Sequence, residues 1–277
     1  MGTNKRILAV MSEWGYWGIE LVGPLNKLTA AGYKFDFITP KGKRSPVLPP
    51  SADPTYMDPP LGVCVTTPED AALVNAFEKT NQLDKTLNLS KMFPERPYFS
   101  SDNSLRQFEA YYETRRVAQE QAVADYDAIL LVGGSGPIVD MVNNQRVHDL
   151  ALGFYTAGKP IGAICYGVAC LVFTRELDDR ACILRGKHVT GHCIEYDYKD
   201  GTGFYGVDFN MGPPPYSLEY LLRDAVGPEG KYHGNFGKKT SVIVDYPFVT
   251  ARSNQCSYEF GEKFIAVLDK GLRRYGW

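Results

Sequence analysis

The sequence predicts an α/β protein with a doubly wound parallel sheet sandwiched between helices. Short apolar runs typical of buried strands alternate with helical segments along most of the chain. Gly-rich turns follow two of these runs. The chain has 277 residues, of which 44% are hydrophobic and 22% charged, which is enough apolar surface for a substantial core. We therefore expect a single domain over residues 1–277.

The N-terminal part has the pattern of a strand–helix–strand unit. Residues 5–11 are typical of a buried strand, and a helical run follows over residues 20–31, with Gly32 as its C-cap. Residues 33–39 then alternate between apolar and polar side chains, as a second strand does. Units of this kind join neighbouring strands of a parallel sheet.

Residues from about 43 to 124 predict an insertion. Prolines cluster at positions 46, 49, 50, 54, 59 and 60, and polar helical stretches follow at 69–89 and 105–122, with no strong strand among them. About 80 residues is too long for a simple connection between two core strands. We expect this insertion to fold as a cap over the sheet.

The regular α/β pattern returns after residue 126. Predicted strands cover residues 127–132, 160–164, 186–190, 241–245 and 248–251. Predicted helices cover residues 138–157, 167–173, 217–225 and 259–274, and residues 194–215 form a loop rich in Gly, Pro and Tyr. In a parallel sheet, the segments that follow neighbouring strands meet in one crevice at the carboxyl edge.

The composition argues against several functional classes. A net charge of −2 gives no electrostatic basis for binding nucleic acid or an acidic membrane surface. The longest apolar run near the N-terminus, residues 7–11, is too short for a signal peptide or a membrane span, so we expect a cytoplasmic protein. The six cysteines are irregularly spaced without a CxxC pair, so neither a disulfide scaffold nor a metal site is expected.

Cys165 occupies the sharp turn between a predicted strand and the next helix, in the segment IGAICYG at 161–167. Small neighbours allow a tight bend, so the segment is typical of a nucleophile elbow with sulfur in place of a serine oxygen. The following helix N-terminus should stabilise a thiolate, and we therefore expect a lowered pKa for Cys165. A buried, inert cysteine is the alternative.

Two further features belong to the same predicted crevice. The turn GGSG at 133–136 matches no nucleotide-binding motif, but its backbone N–H groups could hold an oxyanion at a helix N-terminus. Glu20 begins the first helix and should face the same crevice. The alternative for the GGSG turn is a tight turn that binds no ligand, and the alternative for Glu20 is a glutamate on the surface.

Taken together, these motifs resemble the ThiJ/PfpI superfamily, and most closely its glyoxalase III and heat-shock chaperone branch. The matching segments are Glu20-x-x-x-Pro24, Tyr126-Asp127-Ala128 with Gly133-Gly134, Ala163-Ile164-Cys165-Tyr166-Gly167, the run GKHVTG at 186–191 and PYSLE at 215–219. The resemblance implies a flavodoxin-like fold, a homodimer, and no cofactor. By position, Cys165 is the expected nucleophile and Glu20 the acid that hydrogen-bonds its sulfur. Gly133, Gly134, Tyr166 and Glu195 are the expected oxyanion- and substrate-binding residues.

The chain departs from that branch directly after the nucleophile. Members of the branch carry a histidine there, whereas this chain carries Tyr166, whose ordinary pKa makes it a poor base at neutral pH. We predict that His192 replaces the missing base and is oriented by Glu195 or Asp197. A loop histidine without a catalytic role is the alternative. The sequence also predicts that two other histidines, His148 and His233, are solvated.

These features predict a cofactor-independent, cysteine-dependent enzyme that acts on a small electrophilic carbon. The resemblance favours a glyoxalase III-type lyase acting on 2-oxoaldehydes. A hydratase or C–N hydrolase acting on a specialised metabolite is an open alternative, as is a chaperone or redox sensor in which Cys165 is oxidised without turnover. The expected partners are a small-molecule substrate and a second copy of the chain.

Overall fold

The computed structural model describes residues 5–58, 62–97, 103–197 and 217–277. The strands are β1 Arg6–Val10, β2 Lys34–Thr39, β3 Met57–Asp58, β4 Val63–Cys64, β5 Leu87–Asn88, β6 Ala128–Leu131, β7 Ile161–Ile164, β8 His188–Val189, β9 Lys231–Tyr232, β10 Val242–Asp245, β11 Phe248–Ala251 and β12 Arg274–Tyr275. The α-helices are α1 Gly18–Ala30, α2 Pro68–Glu78, α3 Leu89–Met92, α4 Ser104–Asp125, α5 Pro137–Asp140, α6 Gln145–Thr156, α7 Ala169–Val172, α8 Ile194–Asp197, α9 Leu218–Ala225 and α10 Ser257–Lys270. Short 3-10 helices lie at Pro49–Ser51, Gln82–Lys85, Cys165–Val168 and Asn254–Cys256.

An eight-stranded sheet in the order β12-β10-β11-β7-β6-β1-β2-β5 forms the centre of the fold. Six neighbouring strands run parallel to one another, namely β11, β7, β6, β1, β2 and β5. At the other edge, β10 is antiparallel to β11, and β12 is antiparallel to β10. The predicted α/β fold with a parallel sheet flanked by helices is therefore confirmed. Because β1 lies between β2 and β6, and β7 is next to β6, the loops after β1, β6 and β7 meet at one edge.

Helices cover both faces of this sheet. Gly162 faces α10, since a Cβ atom there would lie 2.8 Å from Phe260. The neighbouring residue Ile161 points to the opposite face, because successive side chains of a strand alternate. Its register partner Phe248 stacks on Tyr155 of α6, with ring centroids 5.8 Å apart. The two helical layers therefore pack on opposite faces of β7 and β11.

Three elements predicted outside the insertion differ in the structure. The helix expected over 138–157 is divided into α5 and α6, and Asn144 caps α6 by accepting a hydrogen bond from the Arg146 N–H. The helix expected over 259–274 ends at Lys270, because Gly271 has a φ of +66° and turns the chain into β12. The strand expected over 186–190 is the short β8, which pairs with β9 outside the main sheet.

The insertion contributes to the sheet and to both helical layers. Its strands are short, since β5 adds two residues to the edge of the main sheet and β3 pairs with β4 over two residues. The helical stretch expected over 69–89 is wrong in its second half, because α2 ends at Glu78 and residues 87–88 form β5. Helix α2 packs against α1, and α4 packs against α6. The beginning of the insertion contacts the start of α1, where Ser51 Oγ accepts a hydrogen bond from the Gly18 N–H at 2.8 Å. That the insertion covers bound substrate stays a prediction.

Within the described ranges, no helix has both the length and the apolar character needed to cross a membrane.

Candidate active site

Cys165 follows the last residue of β7 and has the backbone geometry of a nucleophile elbow. Its φ is +54°, a left-handed conformation that costs a non-glycine residue about 1–3 kcal/mol. Two residues later, a Cβ atom on Gly167 would lie 2.3 Å from the Leu131 carbonyl oxygen, so the chain passes β6 at a distance that only glycine allows. The turn therefore holds Cys165 in one strained position beyond the end of the sheet.

Glu20 lies in the first turn of α1 and is only 1% exposed, so the interpretation as a surface glutamate is wrong. Its carboxyl group faces the Cys165 thiol and the Gly134 N–H. Burial raises the pKa of Glu20 to about 8, and these two neighbours lower it by less. At neutral pH the carboxyl group therefore holds a proton.

The pKa of Cys165 moves in the opposite direction from the sequence-based expectation. Burial, and then the charge of Glu20, raise it well above the ordinary value. The N–H groups of Gly134 and Tyr166 lower the pKa, but by less than burial raises it. The expectation of a lowered pKa is thus wrong, because the thiol is 6% exposed and loses the solvation that a thiolate needs. Cys165 rests as a thiol and requires a base.

His192 is the histidine that the structure brings to the sulfur. Its Nδ1 lies 3.3 Å from Cys165 Sγ, within hydrogen-bond distance for a sulfur atom. The segment before it is fixed to β11, since the Thr190 N–H donates to Thr250 Oγ1 at 3.0 Å. The distance suits transfer of the thiol proton to His192, and the role of this histidine as the base stays a prediction.

Tyr166 supports the histidine ring. The Tyr166 and His192 rings stack with centroids 4.2 Å apart, and the Tyr196 ring meets His192 edge-on at 5.7 Å. No motif in the sequence marks Tyr196, whose ring reaches His192 because the short helix α8 turns the chain back four residues later. Glu195 lies in α8, and its side chain, like that of Asp197, is outside the described residues.

The Gly133–Gly134 turn completes the crevice. A Cβ atom on Gly133 would lie 2.3 Å from Glu20 Oε2 and 2.7 Å from the Cβ atom of Cys165, so a side chain here would push these two residues apart. Gly134 has a φ of +95°, which favours glycine. The Gly134 and Tyr166 N–H groups both interact with the sulfur of Cys165, and an oxyanion hole formed by them stays a prediction.

Trp17 is a residue of the crevice that sequence reasoning missed. Its backbone N–H donates to the Gly133 carbonyl oxygen at 3.2 Å, which ties the loop before α1 to the glycine turn. The buried Nε1 of its indole has no hydrogen-bond partner among the described residues. No sequence motif marks this residue.

Of the two histidines expected to be solvated, His148 is buried and His233 is half-buried. His148 is 8% exposed, and its Nε2 lies 2.7 Å from the Val142 carbonyl oxygen. His233 Nε2 lies 2.8 Å from Nδ1 of His188. Within the described ranges, the side chains of His, Cys, Asp and Glu form no group of three or more that could hold a metal ion.

The crevice lies inside a region with recognisable relatives. A family model described as ThiJ/PfpI family-like matches residues 11–197, about two-thirds of the chain. The chain belongs to the ThiJ/PfpI-like family. The matched region of this ThiJ/PfpI-like protein contains Glu20, the glycine turn, Cys165 and His192.

Individual relatives of this ThiJ/PfpI-like protein are distant. Uncharacterized protein MJ0967 of Methanocaldococcus jannaschii is 27% identical over 146 residues, which are 53% of this chain and 54% of that protein. The chain thus spans about half the length of this curated relative.

Two solved structures share the fold over nearly the whole chain. Rapid Encystment Protein 24 kDa of Francisella tularensis has a TM-score of 0.67 and 22% identity, covering 95% of this chain and 99% of that one. Glyoxalase III of Candida albicans has a TM-score of 0.65 and 18% identity, covering 95% and 96%. At these identities the similarity establishes the fold alone.

Proposed function

We propose that this ThiJ/PfpI-like protein is a cofactor-independent, cysteine-dependent enzyme that converts 2-oxoaldehydes to 2-hydroxy acids, the reaction of a glyoxalase III-type lyase. One observation carries the proposal: Cys165 Sγ lies 3.3 Å from His192 Nδ1, and the buried carboxyl group of Glu20 faces the same sulfur. The substrate class rests on the resemblance of the sequence motifs to the glyoxalase III branch, and glyoxalase III of Candida albicans shares the fold.

In the first step, the sulfur of Cys165 adds to the aldehyde carbon. The thiol proton passes to Nδ1 of His192, because the raised pKa of Cys165 leaves no preformed thiolate. The N–H groups of Gly134 and Tyr166 stabilise the oxygen that becomes negative, and Glu20 gives its proton to this oxygen. The product is a hemithioacetal on Cys165.

In the second step, hydrogen moves within the substrate. Glu20, now a carboxylate, takes the proton from the former aldehyde carbon and returns it to the neighbouring ketone carbon, while the hydroxyl proton moves to the ketone oxygen by way of His192. The aldehyde carbon is thereby oxidised and the ketone carbon reduced, so no external oxidant or reductant is needed. Water then cleaves the resulting thioester, and one of its protons passes to Glu20 while the proton on His192 returns to the sulfur, which releases the 2-hydroxy acid and restores the resting thiol.

The direct test is incubation of the purified protein with methylglyoxal, without added metal or thiol, followed by measurement of lactate. We expect lactate formation by the wild type and by Cys64→Ala, a matched control at an exposed cysteine. We expect none from Cys165→Ala. Absence of lactate from the wild type would contradict the 2-oxoaldehyde assignment.

A hydratase or C–N hydrolase is the second candidate. It is favoured by the position of the base, because Tyr166 occupies the place directly after the nucleophile and His192 reaches the sulfur from another segment. Turnover of isonitriles or amides with no turnover of methylglyoxal would support this candidate. If no substrate is turned over and peroxide adds two oxygen atoms to Cys165, the redox-sensor alternative is favoured.

A further inference from the structure

A second polar cavity lies away from Cys165, between α4, α6 and the segment that follows α7. Its volume is about 40 Å³, which is room for about three water molecules. Four arginines from three parts of the chain line this arginine cavity, namely Arg96, Arg115, Arg175 and Arg180. Nothing in the chemistry of the crevice uses them.

Arg115 is the buried member of this group. It is 5% exposed, and its guanidinium lies over the Tyr112 ring at 4.9 Å from the centroid. Its Nε, also buried, has no hydrogen-bond partner among the described residues. Because arginine keeps its charge in proteins, a buried guanidinium with an unused donor calls for an acceptor that the surrounding side chains do not supply.

Asp149 is the carboxylate nearest to Arg115, and it pairs with it only weakly. Its Oδ1 lies 3.7 Å from Arg115 Nη1, beyond hydrogen-bond distance. Its two oxygens instead accept hydrogen bonds from Tyr111 at 2.6 Å and from Gln145 at 3.0 Å. Burial also raises the pKa of Asp149 above its ordinary value, which weakens it as a counter-ion.

The rim of the arginine cavity adds positive charge. Arg96, Arg175 and Arg180 are exposed, so the wall carries four guanidinium groups and the single carboxylate of Asp149. His148 adds no charge at neutral pH, because burial lowers its pKa.

Neighbouring carboxylates outside the wall have other partners. Glu95 pairs with Arg146 at 3.5 Å, and Asp179 pairs with Arg185 at 3.5 Å. Glu176 accepts a hydrogen bond from Tyr155 at 3.3 Å. The excess of positive charge in the cavity is therefore local, in a chain whose net charge is −2.

We propose that the arginine cavity binds a phosphate dianion, either free or as the phosphoryl group of a small metabolite, with Arg115 at its base and the other three arginines at its rim. The planar guanidinium donates paired hydrogen bonds to phosphate oxygens. A carboxylate can accept the same pair of hydrogen bonds, but it carries one negative charge where phosphate carries two. It therefore neutralises less of the positive charge of the four arginines. This site is independent of the reaction at Cys165.

The test is calorimetric titration of the full-length protein with inorganic phosphate in a chloride buffer. We expect saturable binding at one site and weaker binding of acetate. Arg115→Gln should lower the affinity for phosphate at least tenfold. Arg116→Gln is the matched control, since the next residue of α4 is exposed and pairs with Glu113 and Glu120 instead, and it should bind as the wild type does.

A second variant covers the case in which Arg115→Gln does not fold. Arg180 is exposed at the rim, and Arg180→Gln should lower the affinity for phosphate several-fold without loss of folding. Glycerol phosphate that binds more tightly than phosphate would identify a phosphorylated metabolite, and the reverse order would identify free phosphate. Lack of saturable phosphate binding by the wild type, tighter binding of acetate, or equal affinities for all three variants and the wild type would overturn the proposal.

Discussion

The crevice at Cys165 and the arginine cavity each contain a buried ionisable side chain with an unused polar atom. In the crevice this side chain is Glu20, and in the arginine cavity it is Arg115. Among the described residues, neither Oε2 of Glu20 nor Nε of Arg115 has a hydrogen-bond partner. A carboxylate can give up its charge by binding a proton, and the pKa of Glu20 rises to about 8. A guanidinium cannot lose its charge under these conditions. The crevice is therefore suited to an uncharged electrophile and the cavity to an anion.

The largest effect expected in the crevice follows removal of the sulfur. Cys165→Ala should abolish formation of 2-hydroxy acid, because no other group can form the covalent intermediate. The melting temperature should change little, since a small side chain fits the turn. Product formation and thermal unfolding measure the two effects. A Cys165→Ala variant that still turns over methylglyoxal would disprove covalent catalysis by this residue.

The next largest effect concerns the base. His192→Gln should lower turnover roughly 10²–10⁴-fold, the usual range for loss of a general base. Alkylation of Cys165 by iodoacetamide should slow at neutral pH and recover at high pH, where hydroxide can remove the thiol proton. His233→Gln is the control, because His233 pairs with His188 and not with the sulfur. An unchanged rate of alkylation and turnover in His192→Gln would exclude His192 as the proton acceptor.

Glu20→Gln tests the proton shuttle. The amide keeps the shape of the side chain and a hydrogen-bond donor, but it cannot release and recover a proton. Turnover should fall by roughly 10²-fold or more, while Cys165 keeps its reactivity toward iodoacetamide. Steady-state rates and alkylation rates of the same preparation separate the two effects. Wild-type turnover by Glu20→Gln would leave proton transfer to His192 alone.

The same variant should change how stability depends on pH. Because the pKa of Glu20 rises from 4.5 to about 8 on folding, its contribution to stability is fully present below pH 4.5 and is lost as the pH rises through 8. Between pH 6 and 7.5, the free energy of unfolding of the wild type should fall by about 2 kcal/mol relative to Glu20→Gln.

Urea denaturation at several pH values measures this difference, with Arg116→Gln as a control that keeps the wild-type dependence. Sulfate, which stays a dianion over this range, should stabilise both proteins without altering the difference between them. If the free energies of unfolding of the wild type and Glu20→Gln change with pH in parallel, Glu20 is ionised at neutral pH. The crevice would then hold a buried charge as the arginine cavity does, and the difference between the two regions would be disproved.

The sequence was sufficient to predict the sheet and the meeting of Glu20, the glycine turn and Cys165, because the ends of neighbouring parallel strands share one edge. It also predicted the approach of His192 to the sulfur. It did not predict the raised pKa of Cys165, which depends on how completely the folded chain excludes water. Nor did it predict Arg115, because α4 is rich in polar residues around its whole circumference, and no pattern marks the buried arginine.

Cys165 and its proposed base, His192, follow strands of two different sheets. The central sheet and its strained turn position Cys165, whereas His192 follows β8, which pairs with β9 outside that sheet. We therefore expect that a substitution in the two-stranded β8–β9 sheet can shift His192 while the main sheet that positions the sulfur stays intact. Such an arrangement gives evolution, or a protein engineer, a route to new reactions at the same thiol through changes in the two-stranded β8–β9 sheet.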